Sequence, residues 1–278
     1  MDTEDIEVVP YDPKWPLLFQ TEADKIKAAL GSQFAGIHHV GSTAVPGLAA
    51  KPNIDIVAEV KTLTFDHQPL ADLGYDYRGG FHLPLRKSFT YRSPKLSVNL
   101  HIFEKDDPEV ALNLAFRDYL RTHTDMQKSY EALKYRLIQD EASHQKRGPM
   151  YRGYTLGKND LIQDILNASG FDRVRFVICT HDKEWEAVRN FRRDYFLAHN
   201  QKEDPDTWTF EHEEHRHLVL YQGVQIIGYA HIHLWPHNQA TLQMLMIDPK
   251  HAGKGHDQTL MALIDKWLKL EGVKMTAV

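Results

Sequence analysis

Apolar residues recur at helical spacing in the first part of the chain, between stretches in which apolar residues run together or alternate with polar ones. The helical spacing predicts helices over residues 14–30, 108–122, 125–141 and 158–168. The other two patterns predict strands over residues 37–40, 54–60, 89–91 and 96–103. Helices mixed with a central sheet predict a domain of the α/β (α+β) class.

A turn-forming segment separates this first part from a second one. Ser169, Gly170 and Asp172 follow the last helical pattern, and a new apolar strand begins at Val174. Because glycine suits a helix C-terminus, we place the domain boundary after residue 170 and predict domains at 1–170 and 171–278. The second part predicts strand, helix, three strands, helix and strand, at residues 174–179, 183–198, 217–221, 225–234, 239–247, 258–270 and 273–278.

Charge and composition limit the classes of function. The 278 residues include 33 Lys and Arg against 38 Asp and Glu, a formal net charge of −5, so we expect neither a nucleic-acid binder nor a protein of anionic membranes. No apolar run approaches the roughly 20 residues of a membrane span, and the acidic start differs from a signal peptide, so we expect a cytoplasmic protein. The single cysteine, Cys179, excludes an intrachain disulfide.

A glycine-hydroxyl segment carries the first candidate chemistry. Gly41, Ser42 and Thr43 follow a predicted strand. Glycine lets a backbone approach a ligand closely, and exposed N–H groups with hydroxyls can hold a phosphate. Lys51 then offers a cation to the same ligand. The segment therefore predicts a phosphate site, although it also fits a tight structural loop.

Two predicted strands bring polar side chains to one face. Residues two apart on a strand share a face, so Asn53 and Asp55 project together, with Glu59 as a further candidate. Such oxygen ligands suit Mg²⁺, which takes one or two carboxylates plus phosphate oxygens. On the later strand, Asn99 and His101 are expected to face the same cleft. A structural arginine that neutralises Asp55 is the alternative.

Two arginines on a predicted helix extend this hypothesis. Arg117 and Arg121 lie four residues apart, so they share one face of the helix. Guanidinium groups in that arrangement can clamp phosphates. They equally fit an ion-paired helix surface around Asp118, and the sequence leaves both interpretations open.

Five motifs in the first part resemble the GrpB family, over roughly residues 5–168. They occupy residues 8–16, 39–48, 51–56, 100–103 and 114–121. That family is similar to the nucleotidyltransferase superfamily, so the resemblance implies a nucleotidyltransferase-like mixed sheet that binds a nucleotide or other phosphorylated small molecule with Mg²⁺. In that fold, acids occupy two positions of one strand and a third position on a later strand. In this chain, Asn53 stands at the first acid position and Asp55 at the second. Asn99 or His101 faces the site where the third acid would be expected.

A glycine-bearing loop carries the second candidate chemistry. It joins a strand that ends at Ile247 to a helix from about residue 258, and it contains Gly253, Lys254 and Gly255. Loop amides followed by a helix N-terminus form a place where an anion can bind. This order of strand, loop and amphipathic helix therefore predicts an anion site in the second part.

With the elements before it, this loop resembles the GNAT acetyltransferase family. The resemblance implies N-acetylation of a small-molecule amine by acetyl-CoA, with the coenzyme diphosphate at Gly253, Lys254 and Gly255 and its pantetheine arm near Ile247. Asp257 departs from the family pattern, since it adds like-charge repulsion to the diphosphate. The family continues beyond a fifth strand with a helix and two strands, so we expect this domain to be incomplete at its C-terminal end.

Three hypotheses of function follow. The leading one is acetyl transfer by the second part, with a first part that binds a phosphorylated small molecule. The candidate catalytic bases for the incoming amine are His231 and His233, and the alternatives are Glu211, Glu213 and Glu214. The second is Mg²⁺-dependent nucleotidyl transfer centred on Asp55 as the catalytic carboxylate. The third is a ligand-binding protein without catalysis. The sequence does not indicate an oligomeric state.

Overall fold

The computed structural model describes residues 6–144, 146–147, 150–199 and 203–276, and these divide into two compact units. The first unit runs to Gly80 and resumes over Arg86–Asp172, and the second contains Phe81–Leu85 and continues from Arg173. The hydrophobic pattern does not predict that Phe81–Leu85 belongs with the second unit. Within that unit, the His82 carbonyl accepts a hydrogen bond of 2.9 Å from the Ile178 amide.

The first helix follows from its local sequence. α1 covers Trp15–Leu30, with Pro16 in its first turn and Gly31 directly after it. The first N–H groups of a helix have no helical acceptor, so a proline costs nothing there. Gly31 takes a φ of 51°, which glycine adopts without a side-chain clash. Ile26 is fully buried, and the helix predicted over residues 14–30 is confirmed.

A five-stranded mixed sheet forms the centre of the first unit. Its strands are β1 Phe34–Val40, β2 Asn53–Val60, β3 Asp76–Gly79, β4 Lys87–Ser93 and β5 Leu96–Glu104. Their order is β1-β2-β5-β4-β3, with β2 and β5 parallel and the other neighbours antiparallel. Ile56 on β2 and Leu100 on β5 are fully buried, as expected for central strands. The pattern does not predict β3 or the short helix α2, Gln68–Asp72.

Four further helices complete the first unit. They are α3 Pro108–Thr122, α4 Thr124–Leu137, α5 Arg152–Leu156 and α6 Asn159–Ala168, with a small pair of strands, β6 Lys146–Arg147 and β7 Met150–Tyr151, before α5. The prediction for α4 is too long, because the Asp140 carbonyl accepts from the Ser143 amide and a separate turn begins there. The predictions for α3 and α6 are confirmed.

The second unit contains the predicted order of strands and helices. Its elements are β8 Val174–Ile178, α7 Asp182–Ala198, β9 His215–Gln222, β10 Gln225–Trp235, β11 Gln239–Ile247, α8 His256–Leu270 and β12 Lys274–Met275. The sheet order is β12-β11-β10-β9-β8, with only the β11–β12 pair parallel in the part of the chain that the structure describes. The predicted last strand continues over residues 277–278, which lie outside the described residues.

Side chains of the second sheet alternate between its faces. Tyr229 and His231 on β10 face α7, since both accept hydrogen bonds from its Arg192. Ala230 and Ile232, the residues that follow each of these two along the strand, therefore lie on the opposite face, where both are fully buried. Cys179 is buried and has no disulfide. Among the described helices, none has the length and apolar character that a membrane span needs.

Candidate functional site

A cavity of about 400 Å³ in the first unit lies against the segment that follows β1. The residues predicted for this site that line it are Ser42, Thr43, Lys51, Asn53, Asp55 and Asn99. The other lining residues are Arg92, Lys134, Tyr154, Thr155 and Lys158. The structure therefore brings the glycine-hydroxyl segment and the polar face of β2 to one site, as the sequence predicts.

Gly41 is required by the position of Asp55. A Cβ on Gly41 would lie 2.5 Å from Asp55 Oδ2, well inside van der Waals contact. The residue also has a φ of 68° and a ψ of −169°, a conformation that side chains disfavour. The backbone thus passes directly over the carboxylate, and the first glycine of the motif serves this close approach.

A chain of hydrogen bonds fixes the orientation of Asn99. Arg92 Nη2 donates to Asn99 Oδ1 at 2.6 Å, and Asn99 Nδ2 lies 2.7 Å from Asp55 Oδ1. Because a guanidinium group can only donate, the amide oxygen of Asn99 must face Arg92. The Asn99 NH₂ group therefore points at Asp55. Burial raises the pKa of Asp55, whereas this hydrogen bond and then the charges of Lys158, Arg92 and Lys51 act against that rise.

The residues present do not fit the predicted Mg²⁺ ion. Asp55 is the only carboxylate among the lining residues, and among the described residues no group of three His, Cys, Asp or Glu side chains could hold a metal. Asn99 turns protons rather than lone pairs towards Asp55. The amide of Asn53 is one further candidate metal ligand. Four cationic side chains also line the cavity and would repel a divalent cation; they are Lys51, Arg92, Lys134 and Lys158. The lining residues therefore do not support nucleotidyl transfer through Mg²⁺.

Two lysines far along the chain line this cavity, and both have lowered pKa values. Lys134 lies on α4, and Lys158 directly precedes α6. Burial lowers the pKa of Lys158 to about 8, against the opposite effect of Asp55. Burial, followed by the charge of Lys158, lowers the pKa of Lys134 to about 7. Lys134 Nζ also donates to the Ala49 carbonyl. The sequence does not indicate these lysines, because they lie about 80 and 100 residues beyond the loop and no local motif marks them.

Thr43 ties the end of β1 to the start of β2. Its hydroxyl donates to the Asn53 carbonyl at 3.1 Å, so it accepts from His39 Nε2 at 3.0 Å. The ring of His39 stacks on Phe19 at 4.8 Å between centroids. Burial, with the charges of Arg121 and Arg117, lowers the pKa of His39 to about 4, which keeps the ring neutral. Thr43 is therefore a structural bridge as well as a lining residue.

Arg117 and Arg121 support the loop from outside the cavity. Arg121 donates from Nε and Nη2 to the Ala44 carbonyl at 2.9 and 2.7 Å. Arg117 donates from Nη1 to the His39 carbonyl at 2.9 Å and pairs through Nε and Nη2 with Asp118. Neither arginine lines the cavity. The structure thus favours the ion-paired interpretation over the phosphate clamp, and adds a bracing contact to the loop.

His101 and Glu59 lie apart from this cavity. His101 Nδ1 is 3.3 Å from the Ser88 hydroxyl on the neighbouring strand β4. Glu59 Oε1 is 2.8 Å from His38 Nε2 on β1. Neither belongs to the lining residues, because each lies further along its strand than Asn99 or Asp55. Alternation predicts the face correctly, but it does not predict how far along the strand the cavity extends.

The loop of the second unit leads directly into a helix. Gly253 and Gly255 have φ values of 73° and 77°, and Gly255 is the N-cap of α8. A Cβ on Gly253 would meet nothing within 4 Å, and one on Gly255 would meet only Gln258 Oε1 at 3.9 Å. The glycines therefore serve the backbone conformation of the loop and leave open space beside it. The N-terminal amides of α8 add a favourable end for an anion.

A second cavity, of about 460 Å³, opens beside this loop. Leu245 and Ile247 from the end of β11 supply apolar lining, and Gly253, Gly255 and Asp257 lie on the loop side. Lys254 does not line it. In the described chain, β12 pairs with β11 only through Gln239 and Ala240, so these two strands are paired at the end of β11 that is remote from the cavity.

The predicted base His231 lies inside a hydrogen-bond network. Its Nδ1 is 3.2 Å from Arg192 Nη1, and its Nε2 is 2.8 Å from His215 Nδ1. Burial, followed by the charges of His217 and Arg192, places the pKa of His231 well below its ordinary value. A group with both ring nitrogens engaged and its charged form disfavoured does not suit proton abstraction. The prediction that His231 is a catalytic base is therefore corrected: His231 has a structural role.

The second predicted base, His233, lies two residues further along β10. Its ring stacks on His215 at 4.2 Å between centroids and lies tilted by 37° against the Trp235 ring at 3.8 Å. Its Nε2 lies 3.7 Å from Glu214 Oε2, longer than a hydrogen bond. The side chain is 14% exposed. Within the described residues, His233 Nε2 is buried without a hydrogen-bond partner and has the Glu214 carboxylate near it, whereas both ring nitrogens of His231 are hydrogen-bonded.

Comparison with known proteins agrees with these two units. Residues 5–168 match the family model described as GrpB protein, and residues 185–278 match that of the Acetyltransferase (GNAT) family. The UPF0157 protein YqkA of Bacillus subtilis is 30% identical over 72% of this chain and 53% of its own length. The UPF0157 protein BH1888 of Halalkalibacterium halodurans is 34% identical over 58% of this chain and 80% of its own length.

A solved structure covers the first unit. The crystal structure of the conserved protein GrpB from Enterococcus faecalis is 30% identical, covers 59% of this chain and 96% of that chain, and has a TM-score of 0.52. The predicted mixed-sheet fold and both family resemblances are thus confirmed. This chain spans about half the length of YqkA. The chain belongs to the GrpB protein family, and a GNAT acetyltransferase domain follows its GrpB domain.

Proposed function

We propose that the second unit binds acetyl-CoA and transfers its acetyl group to the amine of a small molecule. The observation that carries this proposal is the loop with Gly253 and Gly255 in left-handed conformations, which opens α8 beside a cavity in the segment that matches the GNAT model. An N-cap glycine and a following helix present backbone N–H groups to a diphosphate. Acetyl-CoA supplies an activated acetyl thioester.

Two features of the second cavity favour binding of the coenzyme, and one disfavours it. Leu245 and Ile247 give apolar surface for the pantetheine arm. The space above Gly253 is open, so a diphosphate meets no side chain there. Asp257 lines the same cavity and repels a diphosphate, by about 1 kcal/mol at 4 Å in water. The site therefore binds the coenzyme less tightly than its backbone alone would allow.

His233 is the residue that we propose to accept the proton of the amine. Among the two histidines predicted for this role, it alone has a ring nitrogen outside the Arg192 network. Glu214 lies near enough to stabilise the imidazolium ion that proton transfer creates. Glu214 then acts as a positioning residue, because it would reach the amine only through His233.

Calorimetry with acetyl-CoA tests the binding step. We expect acetyl-CoA and CoA to bind, and Lys254→Glu to weaken both, because it places a second negative charge beside the diphosphate. Lys269→Glu makes the same charge change on the exposed far end of α8 and should leave binding unchanged. Failure of the unaltered protein to bind either compound would contradict the proposal.

Thiol release from acetyl-CoA in the presence of a panel of primary amines tests the transfer step. We expect His233→Gln to lower the rate of thiol release, with coenzyme affinity unchanged. A purely structural residue would instead alter affinity and stability together. An unchanged rate of thiol release in this variant would assign the proton to another group.

A further inference from the structure

The cavity of the first unit has a charge opposite to that of the chain. The chain has a formal net charge of −5, yet the cavity gathers four cationic side chains around the carboxylate of Asp55. They are Lys51, Arg92, Lys134 and Lys158. Lys134 is buried, Lys51 and Lys158 are partly exposed, and Arg92 is exposed. Collecting like charges around one cavity costs free energy that a bound anion would offset. Such an arrangement points to an anionic ligand.

We propose that this cavity binds the phosphate groups of a small molecule directly through its lysine and arginine side chains, without a bound metal ion. The ligand class is a phosphate monoester or diphosphate. The volume of about 400 Å³ lies within the range of small-molecule sites. The proposal is independent of acetyl transfer, since it concerns residues of the first unit only.

Lys158 is the principal contact in this proposal. It is the N-cap residue of α6, and its Nζ lies over the Tyr154 ring at 4.2 Å from the centroid. Within the described residues, Lys158 Nζ forms no ion pair with a carboxylate, although Asp55 acts on it electrostatically. A phosphate oxygen can therefore accept a charge-assisted hydrogen bond from it without displacing an existing partner.

Lys134 and Arg92 have structural partners and complete the positive field. Lys134 is almost fully buried and donates to the Ala49 carbonyl, which fixes its amine beside the loop. Arg92 donates to Asn99 and to the Val98 carbonyl, which fixes its guanidinium group at the rim. Both side chains are therefore held in place before a ligand arrives, so little conformational entropy is lost on binding.

Neutralising Asp55 has opposite effects on ligand binding in a metal-dependent site and in a metal-free site. If it held a metal ion, its neutralisation would abolish metal-dependent binding. In a metal-free site it is the one negative group among the described lining residues, so its neutralisation strengthens anion binding. The Asp55→Asn variant keeps the shape of the side chain and still offers Asn99 an oxygen acceptor. The sign of its effect therefore separates the two mechanisms.

Calorimetry with inorganic pyrophosphate and with ATP, each in EDTA, is the experiment. It is run near pH 6, where the lysines that line the cavity are protonated. We expect binding without metal, no gain on adding Mg²⁺, and tighter binding by Asp55→Asn. Stronger binding of ATP would assign a nucleotide, and equal binding of both would assign the phosphate groups alone.

Lys158→Gln should weaken binding by about tenfold or more, the effect of one lost charge-assisted hydrogen bond. Lys128→Gln removes an exposed lysine of α4 and is the matched control. Thermal unfolding of each variant establishes that it is folded. Binding that needs Mg²⁺, weaker binding by Asp55→Asn in EDTA, equal loss in both lysine variants, or no binding of either probe would overturn the proposal.

Discussion

Arg192 Nη1 donates to His231 Nδ1 at 3.2 Å, and this contact fixes the tautomer of the buried ring. Because arginine cannot accept, His231 Nδ1 must accept and its proton must lie on Nε2. His231 Nε2 then donates to His215 Nδ1 at 2.8 Å. The proton of His215 consequently lies on its Nε2, which is buried without a hydrogen-bond partner in the described chain.

The same arginine organises a second branch. Arg192 Nη1 also donates to Tyr229 Oη at 3.2 Å, and Tyr229 Oη is 2.8 Å from His217 Nδ1. His217 Nε2 faces the Thr209 carbonyl at 3.3 Å and must donate to it. His217 Nδ1 therefore accepts from Tyr229. Arg192 thus sets the tautomers of His231 and His215, and the Thr209 carbonyl sets that of His217.

Replacing Arg192 by methionine should strongly destabilise the second unit. The arginine is 1% exposed and pairs with Asp204 at 2.6 Å, and removing one partner of a buried pair costs about 3–5 kcal/mol. Urea unfolding followed by tryptophan fluorescence measures the loss. Arg193→Met, at the neighbouring and 60% exposed position, should change the free energy of unfolding little. Equal effects of both variants would contradict this role.

The second unit should lose stability on mild acidification. Burial, and then the charge of Arg192, lowers the pKa of His217 from 6.5 to about 4. The unfolded chain therefore takes up a proton first, so the contribution is complete above about pH 6.5 and is lost as the pH falls towards 4. Trp185 packs 5.5 Å from the His217 ring, and its fluorescence reports the change.

A matched pair of variants isolates the contribution of His217. His217→Gln keeps a donor for the Thr209 carbonyl and cannot become charged, so its free energy of unfolding should depend less on pH in this range. His199→Gln removes an exposed histidine of the same unit and should keep the original dependence. An unaltered pH dependence in His217→Gln would assign the acid response to other groups.

Gly41→Ala should disturb the first cavity more than its backbone conformation alone explains. The new Cβ would approach Asp55 Oδ2 to 2.5 Å, which forces the carboxylate or the loop to move. Gly31→Ala is the control, because Gly31 also has a positive φ but has nothing within 4 Å of its Cβ position. We expect about 1–2 kcal/mol from backbone strain in each and a further loss only in Gly41→Ala, measured by chemical unfolding.

Arg121→Ala should loosen the loop without changing the lining of the cavity. Its two hydrogen bonds to the Ala44 carbonyl would be lost, so the amides of residues 41–48 should exchange hydrogen faster. Arg136→Ala, an exposed position on α4, should leave their exchange unchanged. Protection that is the same in both variants would show that Arg121 does not brace the loop.

Asp257→Asn should tighten the binding of acetyl-CoA. Removing about 1 kcal/mol of repulsion corresponds to roughly a fivefold lower dissociation constant. Calorimetry in low and high salt checks it, because an electrostatic gain should shrink as ions screen it. A dissociation constant that is equal to or higher than that of the unaltered protein would place the diphosphate elsewhere.

The sequence could predict the features that depend on neighbouring residues. Hydrophobic spacing alone determined α1, the β2 and β5 strands and the order of elements in the second unit, because helices and strands impose fixed periods on the residues they bury. It also determined that Asn53 and Asp55 share a face. The two family resemblances rested on such local motifs, and the matched models confirm them.

Only the tertiary structure decided what these residues face. Lys134 and Lys158 reach the cavity from helices far along the chain, and no short-range pattern records that approach. The helical spacing of Arg117 and Arg121 would be the same if they bound a phosphate. In the structure, Arg117 donates to the His39 carbonyl and Arg121 to the Ala44 carbonyl. His231 looks like a base in sequence, but burial beside Arg192 makes its charged form unfavourable. Charge, burial and hydrogen-bond direction depend on the partners that folding brings together.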